Sequence, residues 1–421
     1  MAKPKNFFWV PGDPPPLIEP HSIAKLDVLH GYLSRYIETL GMLVNMPVMR
    51  FDIVDGFSGG GIFTDKQGGL RFGSPLTFLH SIEAARIAVG EKRGRPLEIE
   101  ARYFFVDSDK NAIEYLKQTL VEHGYRDALE ESIFLINAEY TSVYEKIVGK
   151  ISARSSRAKA IFLLDQFGYS DAPLDSISYI LRKLPRAEII LNFATDSLLA
   201  YLNDSTEFRQ ALRKTGISES ILEDDQIIGK HKGWRFLAER ELSAAIKQAT
   251  GSRFYTPFYI VSEESHRAYW LVHLCMHPKA HDEMIKTHWD VGNLFRHYGG
   301  AGTEMHMWGY NARNDPGLSG ILDFGFGEMD KNECIRALQS ELPNLIYSQA
   351  DGISFEGLAS SISNNTVAWQ DLIKEQLGFL RSEGEIEIIT PNGNQRAAAG
   401  RIIDEDILRR KRQSVFPFIK R

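Results

Sequence analysis

Four short polar stretches of this chain carry the residue types from which a ligand pocket is made. The first, Asp55-Gly56-Phe57-Ser58-Gly59-Gly60-Gly61, follows the apolar run Val48–Val54. Glycines there let the backbone approach a bound molecule with no Cβ in the way. The second, Asp107-Ser108-Asp109, follows Arg102–Val106. A carboxylate at that place can accept hydrogen bonds from ribose hydroxyls, with Asp107 the first choice and Asp109 an alternative or the cap of the next helix. The third, Asn137-Ala138-Glu139, is a polar tip able to read an adenine amino group. The fourth, Asp165 to Ser170, follows Ala160–Leu164.

For these stretches to meet, each must stand at the carboxyl end of a strand in one parallel sheet. Strands over Val48–Val54, Arg102–Val106, Ser132–Ile136, Ala160–Leu164 and Glu188–Phe193 alternate with helices, which predicts an α/β fold with a doubly wound, mostly parallel sheet. Phe254–Val261 and Ala268–Cys275 read as an antiparallel hairpin closing that sheet. Ahead of the first strand, Ile23, Leu26, Leu29, Leu33, Ile37 and Leu40 recur at helical spacing. Lys25 and His30 on that helix could reach a ligand, but the usual exposure of these residue types favours a solvated lysine and a surface histidine. Ser74 before Pro75 predicts a helix cap. The expected organisation is a proline-rich arm over 1–20, an α/β domain over 21–295 with a helical insertion at 197–250, and a glycine- and aromatic-rich linker loop over 296–330.

The last segment, 331–408, has its own pattern. Helices over Asn332–Leu342, Ser354–Ser363 and Val367–Leu380 precede strand, turn, strand over Glu385–Ile402, which is a winged helix-turn-helix plan. Asn365, Thr366, Trp369, Gln370 and Lys374 would face a nucleic-acid groove and Arg396 on the wing a phosphate. A protein-docking module fits the same fold. Residues 409–421, with Arg409-Arg410-Lys411-Arg412, read as a basic tail.

Composition sets limits. The 421 residues are 43% hydrophobic and 25% charged with a net charge of −6, so any contact with nucleic acid must come from a local patch. Cys275 and Cys334 cannot build a disulfide framework or a cysteine-only zinc site, which suits a cytoplasmic protein. No metal site is expected, because Pro278 breaks the helical register between His277 and His281. The N-terminus lacks a signal-peptide core and no apolar run nears the ~20 residues of a bilayer span.

A dinucleotide fold would carry G-x-G-x-x-G opening straight into a helix, with pyrophosphate on that helix N-terminus. Here the loop leads to another polar loop, which suits a zwitterionic ligand such as S-adenosylmethionine, held by Asp55, Gly56, Phe57, Ser58, Gly59, Gly61, Asp107, Ser108, Asn137, Ala138 and Glu139. The stretch Asp55 to Gly61 is similar to the D-x-F-x-G-x-G motif of class I methyltransferases. With Lys25–Tyr36, Gly73-Ser74-Pro75, Val106-Asp107, Asp165–Ser170 and His273–Trp289, nearly the full chain resembles the three-Cys-motif partner family. That resemblance implies a Rossmann-like transferase working beside a separate protein with a three-cysteine motif. The family's D-P-F-G tip, here Asp165-Gln166-Phe167-Gly168, lies near the D-P-P-Y motif of enzymes that methylate amino groups of nucleic-acid bases. By that analogy Asp165 and the Gln166 carbonyl orient the nitrogen, and Phe167 or Tyr169 stacks on the base. The alternative is a non-catalytic adaptor of methyltransferase shape that binds a partner enzyme or nucleic acid.

Overall fold

The structure is a computed structural model. It describes residues 7–43, 48–155, 157–166, 170–200, 205–219, 227, 229, 234–261, 268–291, 295–298, 301–303, 323–324, 326–396 and 398–411. The expectations for Phe167, Gly168 and Tyr169, and for the tail 412–421, lie outside the described residues. The chain divides into two compact units, Met1–Tyr298 with Trp308–Phe326, and Gly299–Met307 with Gly327–Arg421.

In the first unit α1 (Pro20–Gly41) precedes β1 (Val48–Asp55), followed by the small hairpin β2 (Ile62–Thr64) and β3 (Leu70–Phe72). Then come α2 (Ser74–Arg93), β4 (Glu98–Asp107), α3 (Lys110–Glu122), β5 (Ile133–Asn137), α4 (Tyr140–Arg154), β6 (Lys159–Leu164), α5 (Leu174–Lys183) and β7 (Arg186–Phe193). Among the described residues the helices α6 (Thr195–Ala200), α7 (Thr206–Thr215) and α8 (Trp234–Thr250) precede the hairpin β8 (Phe254–Val261) and β9 (Ala268–Cys275), and α9 (Pro278–Val291) follows.

The main sheet runs β5-β4-β1-β6-β7-β9-β8. β1 pairs in parallel with β4 and β6, β5 and β7 continue the parallel run, and β9 lies antiparallel to both β7 and β8. The five parallel strands and the closing hairpin are therefore where the sequence places them. Being covered on both faces, the strands are apolar almost throughout, with Phe51, Ile53, Phe104, Phe162 and Leu191 buried. On one face α1 packs against α2 and α9. On the other, Ile147, Ile177, Leu242 and Trp270 share a core with Phe104 and Phe162. Strand order reverses about β1, and ligands of open α/β sheets bind at the carboxyl ends beside such a point.

Two local expectations change. The cap of α2 is Gly73 without a side-chain bond, and Ser74 is already inside the helix. The stretch read as a loop carries β10 (Phe295–Tyr298) and β11 (Asp323–Phe324), which extend the sheet beyond β8. Both are too short for an apolar alternation to announce them.

The second unit holds α10 (Glu328–Tyr347), β12 (Ile353–Ser354), α11 (Phe355–Ile362), α12 (Gln370–Ser382), β13 (Ile386–Ile389) and β14 (Ile407–Arg410). The Ser354 hydroxyl caps α11 by accepting the Gly357 N–H at 3.0 Å. The sheet order β12-β14-β13 completes a winged helix. Its last strand is Ile407–Arg410 and not the expected Gln395–Ile402, which among the described residues meets β13 at an isolated Ile389–Gln395 bridge. Arg409 and Arg410 are thus strand residues: Arg409 pairs with Glu387 at 3.0 Å and Arg410 lies 5.0 Å from the Tyr347 ring centre.

Candidate functional site

The glycine loop continues the sheet on both sides. The Gly56 N–H donates to the Leu163 carbonyl and the Ser58 N–H to the Val106 carbonyl, each at 2.9 Å. Gly59 and Gly61 then take positive φ of 59° and 84°, which a side chain would oppose. The space their missing Cβ atoms leave belongs to the protein. A Cβ on Gly59 would stand 2.6 Å from the Trp9 ring, and one on Gly61 2.6 Å from Leu116. Trp9 comes from the N-terminal arm, is buried, and donates from Nε1 to the Ile62 carbonyl at 2.9 Å. Trp9 therefore packs on the loop itself.

Asp107 holds this loop from the neighbouring strand. Its carboxylate accepts the Gly59 N–H at 3.0 Å and the Asp109 N–H at 2.8 Å. Asp107 is half-buried and lines the ligand side of the loop it holds. Asp109 caps α3 through the Asn111 N–H at 2.9 Å. Below the loop Asp55 is wholly buried and accepts the Phe57 N–H at 3.2 Å. Burial pushes its carboxyl up to about 7; the Ser74 side chain and the Phe57 N–H oppose this, and the charges of Asp165 and Asp107 add to it.

At the tip of β6 the Lys25 ammonium lies 2.5 and 2.6 Å from the two Asp165 carboxylate oxygens. Lys25 is largely buried, so the surface position favoured for it is corrected: the first turns of α1, with His21, Ser22, Lys25 and Leu26, line the same cavity as the strand tips. Gln166 takes over the turn that a proline would have stiffened. Its Oε1 accepts the Asp171 and Ala172 N–H groups, both at 2.9 Å, while its main-chain carbonyl accepts from Asn192 Nδ2 at 3.3 Å. Gln166 Nε2, Asn192 Oδ1 and Ser58 Oγ are buried with no hydrogen-bond partner among the described residues.

These groups surround a cavity of ≈ 650 Å³. Of the expected residues Gly56, Phe57, Ser58, Gly59, Asp107, Ser108, Glu139, Asp165 and Gln166 line it. Asp55 lies beneath it and Gly61 outside it. Asn137 Nδ2 and the Ala138 N–H instead both donate to the Asp107 main-chain carbonyl, at 3.0 and 3.1 Å, tying β5 to β4. Sequence reasoning missed Trp9, His21, Asp171 and Asn192 as lining residues, and favoured the surface for Lys25, which lines the cavity too. Among the described lining residues six are carboxylates, Glu19, Asp107, Asp109, Glu139, Asp165 and Asp171, against one lysine. That balance favours a cationic ligand over a pyrophosphate.

In the winged helix Asn365 is exposed, and Trp369, Gln370 and Lys374 are half-buried around the start of α12. The Lys331 ammonium lies 5.5 Å from the Trp369 ring centre and that of Lys374 4.9 Å from Phe355. Two expected contact residues are corrected. Thr366 is 1% exposed and its hydroxyl accepts the Ala368 N–H at 3.1 Å, so it shapes the turn. Arg396 is committed to the buried Asp406, with bonds of 2.8 and 2.6 Å.

His277 Nδ1 accepts the Lys279 N–H at 3.1 Å and His281 Nδ1 pairs with the Thr256 hydroxyl at 2.6 Å, so both serve the fold. Among the described residues no helix is long and apolar enough to cross a membrane.

A sheet in this order, with its antiparallel strand inserted beside β8, a glycine loop after β1 and an acid after β4, is a class I methyltransferase-like fold, here joined to a winged helix. Residues 309–393 match the GMT-like wHTH domain family. No curated protein matches the chain in sequence. Among solved structures it is similar to a Clostridium thermocellum protein whose rRNA-methylase assignment is itself an inference, at 12% identity over 58% of this chain and 94% of that one, TM-score 0.28. It is similar also to Aeropyrum pernix fibrillarin with natively bound S-adenosyl-L-methionine, at 10% identity over 58% and 76%, TM-score 0.28. A third is the METTL16 methyltransferase domain in N-terminally shortened form, at 9% identity over 59% and 83%, TM-score 0.24. At such TM-scores these superpositions add nothing to the strand order, on which the fold class stands.

Proposed function

We propose that this protein is an S-adenosylmethionine-dependent methyltransferase acting on an amino group of a nucleic-acid base, together with a separate three-Cys-motif partner protein in the cytoplasm. The observation that carries the cofactor is the site at the strand tips. It combines a backbone turn held by Asp107 with a wall of six carboxylates suited to a ligand with a positive sulfonium. The residues present fit the group: Asp107 would take the ribose hydroxyls, the Gly56–Gly59 segment would border the amino-acid end, and Ser108 and Glu139 the adenine side.

The cofactor supplies an electrophilic methyl group, so what the protein must add is position and a place for a proton. Asp165 offers carboxylate oxygens to an incoming amino group, and the second lone pair of the Gln166 carbonyl a further acceptor. Gln166 Oε1 keeps that tip in place by holding Asp171 and Ala172. Phe167 and Tyr169 complete the reading as stacking groups. A base within a duplex would need to be flipped out at a cost of roughly a few kcal/mol. The winged helix would hold the nucleic acid or the partner through Asn365, Trp369, Gln370 and Lys374.

The test has two parts. Calorimetry with S-adenosylhomocysteine should give saturable binding. Mass spectrometry of nucleosides from total RNA and DNA, from cells with and without the protein and its partner, should then show one methylated base that depends on Asp165. Cofactor binding without any such base would leave the adaptor reading.

A further inference from the structure

Among the described residues lining the cavity Lys25 is the only lysine or arginine. It is 12% exposed at the side chain, it comes from α1, and it engages both oxygens of Asp165, the carboxylate that the proposed reaction assigns to the target nitrogen. The amino-acid end of S-adenosylmethionine carries a carboxylate. The six carboxylates of this wall repel that group, and among the described lining residues Lys25 offers it the one lysine or arginine charge. We infer that Lys25 is the anchor for the cofactor's carboxylate, and that its transfer from Asp165 to that carboxylate frees Asp165 for the target amino group. The inference rests on the cofactor reading above and deepens it. One lysine then serves two carboxylates in turn, and cofactor binds before substrate. Gln166 Nε2 and Asn192 Oδ1 at the adjoining tip, buried with no hydrogen-bond partner among the described residues, give the same corner further polar groups for a ligand to satisfy.

The experiment compares two ligands on the full-length protein by calorimetry. S-adenosylhomocysteine carries the amino-acid end, and 5′-methylthioadenosine lacks it. For Lys25→Met the expected result is a roughly tenfold or greater loss of affinity for the first ligand and an unchanged affinity for the second. Asp165→Asn removes the competitor for Lys25, so affinity for S-adenosylhomocysteine should rise by roughly three- to tenfold while that for 5′-methylthioadenosine stays the same. A merely structural pair would weaken both ligands alike in both variants. That result overturns the inference, as does weaker S-adenosylhomocysteine binding in Asp165→Asn. Wild-type protein that binds neither ligand defeats the cofactor reading itself. Wild-type and Lys25→Met proteins that bind S-adenosylhomocysteine equally defeat the role of Lys25 alone.

Discussion

The Asp107 carboxylate holds the Gly59 N–H at 3.0 Å across 48 residues of sequence, so the end of the second parallel strand fixes the turn that follows the first. Replacing Asp107 by Ala removes this tether together with the proposed ribose acceptor. Affinity for S-adenosylhomocysteine should fall roughly 10- to 100-fold, and less for Asp107→Asn, which keeps one acceptor oxygen. Unchanged calorimetric affinity in the Ala variant would remove Asp107 from the site.

Gly60 lies directly under the Trp9 indole, and an added Cβ would overlap that ring. Gly60→Ala should therefore lift the N-terminal arm, at a cost on the order of 1–3 kcal/mol. Limited proteolysis should show it as faster cleavage ahead of Pro20, and Trp9→Ala should make the Gly60→Ala change nearly silent. Equal cleavage of wild type and Gly60→Ala would mean the loop accommodates the methyl group elsewhere.

Asp55 ties stability to pH. Its folded carboxyl is raised to about 7 from an ordinary 3.8, so the native state holds this proton more tightly than the unfolded chain does. The stability from this group is full below the unfolded value and is lost as pH climbs to about 7. Asp55→Asn abolishes that dependence and should be more stable than wild type above pH 7, by roughly 2–4 kcal/mol more than at pH 4. Urea unfolding across this range measures the difference, which a pH-independent offset would contradict.

Gln166→Ala strands two backbone N–H groups, those of Asp171 and Ala172. The expected loss is about 1–3 kcal/mol, with new protease sensitivity between residues 166 and 172. Gln166→Glu keeps the acceptor and should retain most of the stability. If Ala and Glu behave alike, the side chain is not what closes this turn.

Within the winged helix two basic residues should separate by phenotype. Arg396→Ala leaves Asp406, which is 0% exposed, without its guanidinium and should lower that unit's Tm by roughly 10 °C or more. Lys374→Ala should leave Tm nearly unchanged and weaken nucleic-acid binding with a shallower salt dependence in fluorescence anisotropy. A loss of binding in Arg396→Ala with full stability would return that arginine to the interface.

The order of elements was legible because it is written locally. Apolar runs ending in polar tips marked β1, β4, β5, β6 and β7, helical spacing marked α1, and the serine at 354 marked the start of α11. The α2 cap was misplaced by one residue because Gly73 and Ser74 both suit the position; only the packed structure puts Ser74 inside the helix beside Asp55. The strand β14 was missed because Leu408 is its one fully buried apolar residue, followed by arginines that read as a tail.

By itself the sequence determined a parallel sheet whose polar tips share an edge, with a glycine turn and an acid after its first two strands. Only the tertiary structure decided which partner each polar side chain has. Lys25 meets Asp165 from 140 residues away, Trp9 fills the space above the glycines, and Arg396 turns from the expected phosphate to Asp406. The physical reason is that backbone preference depends on neighbours in the chain, whereas a buried charge must be satisfied by whatever the packed fold brings within about 3 Å.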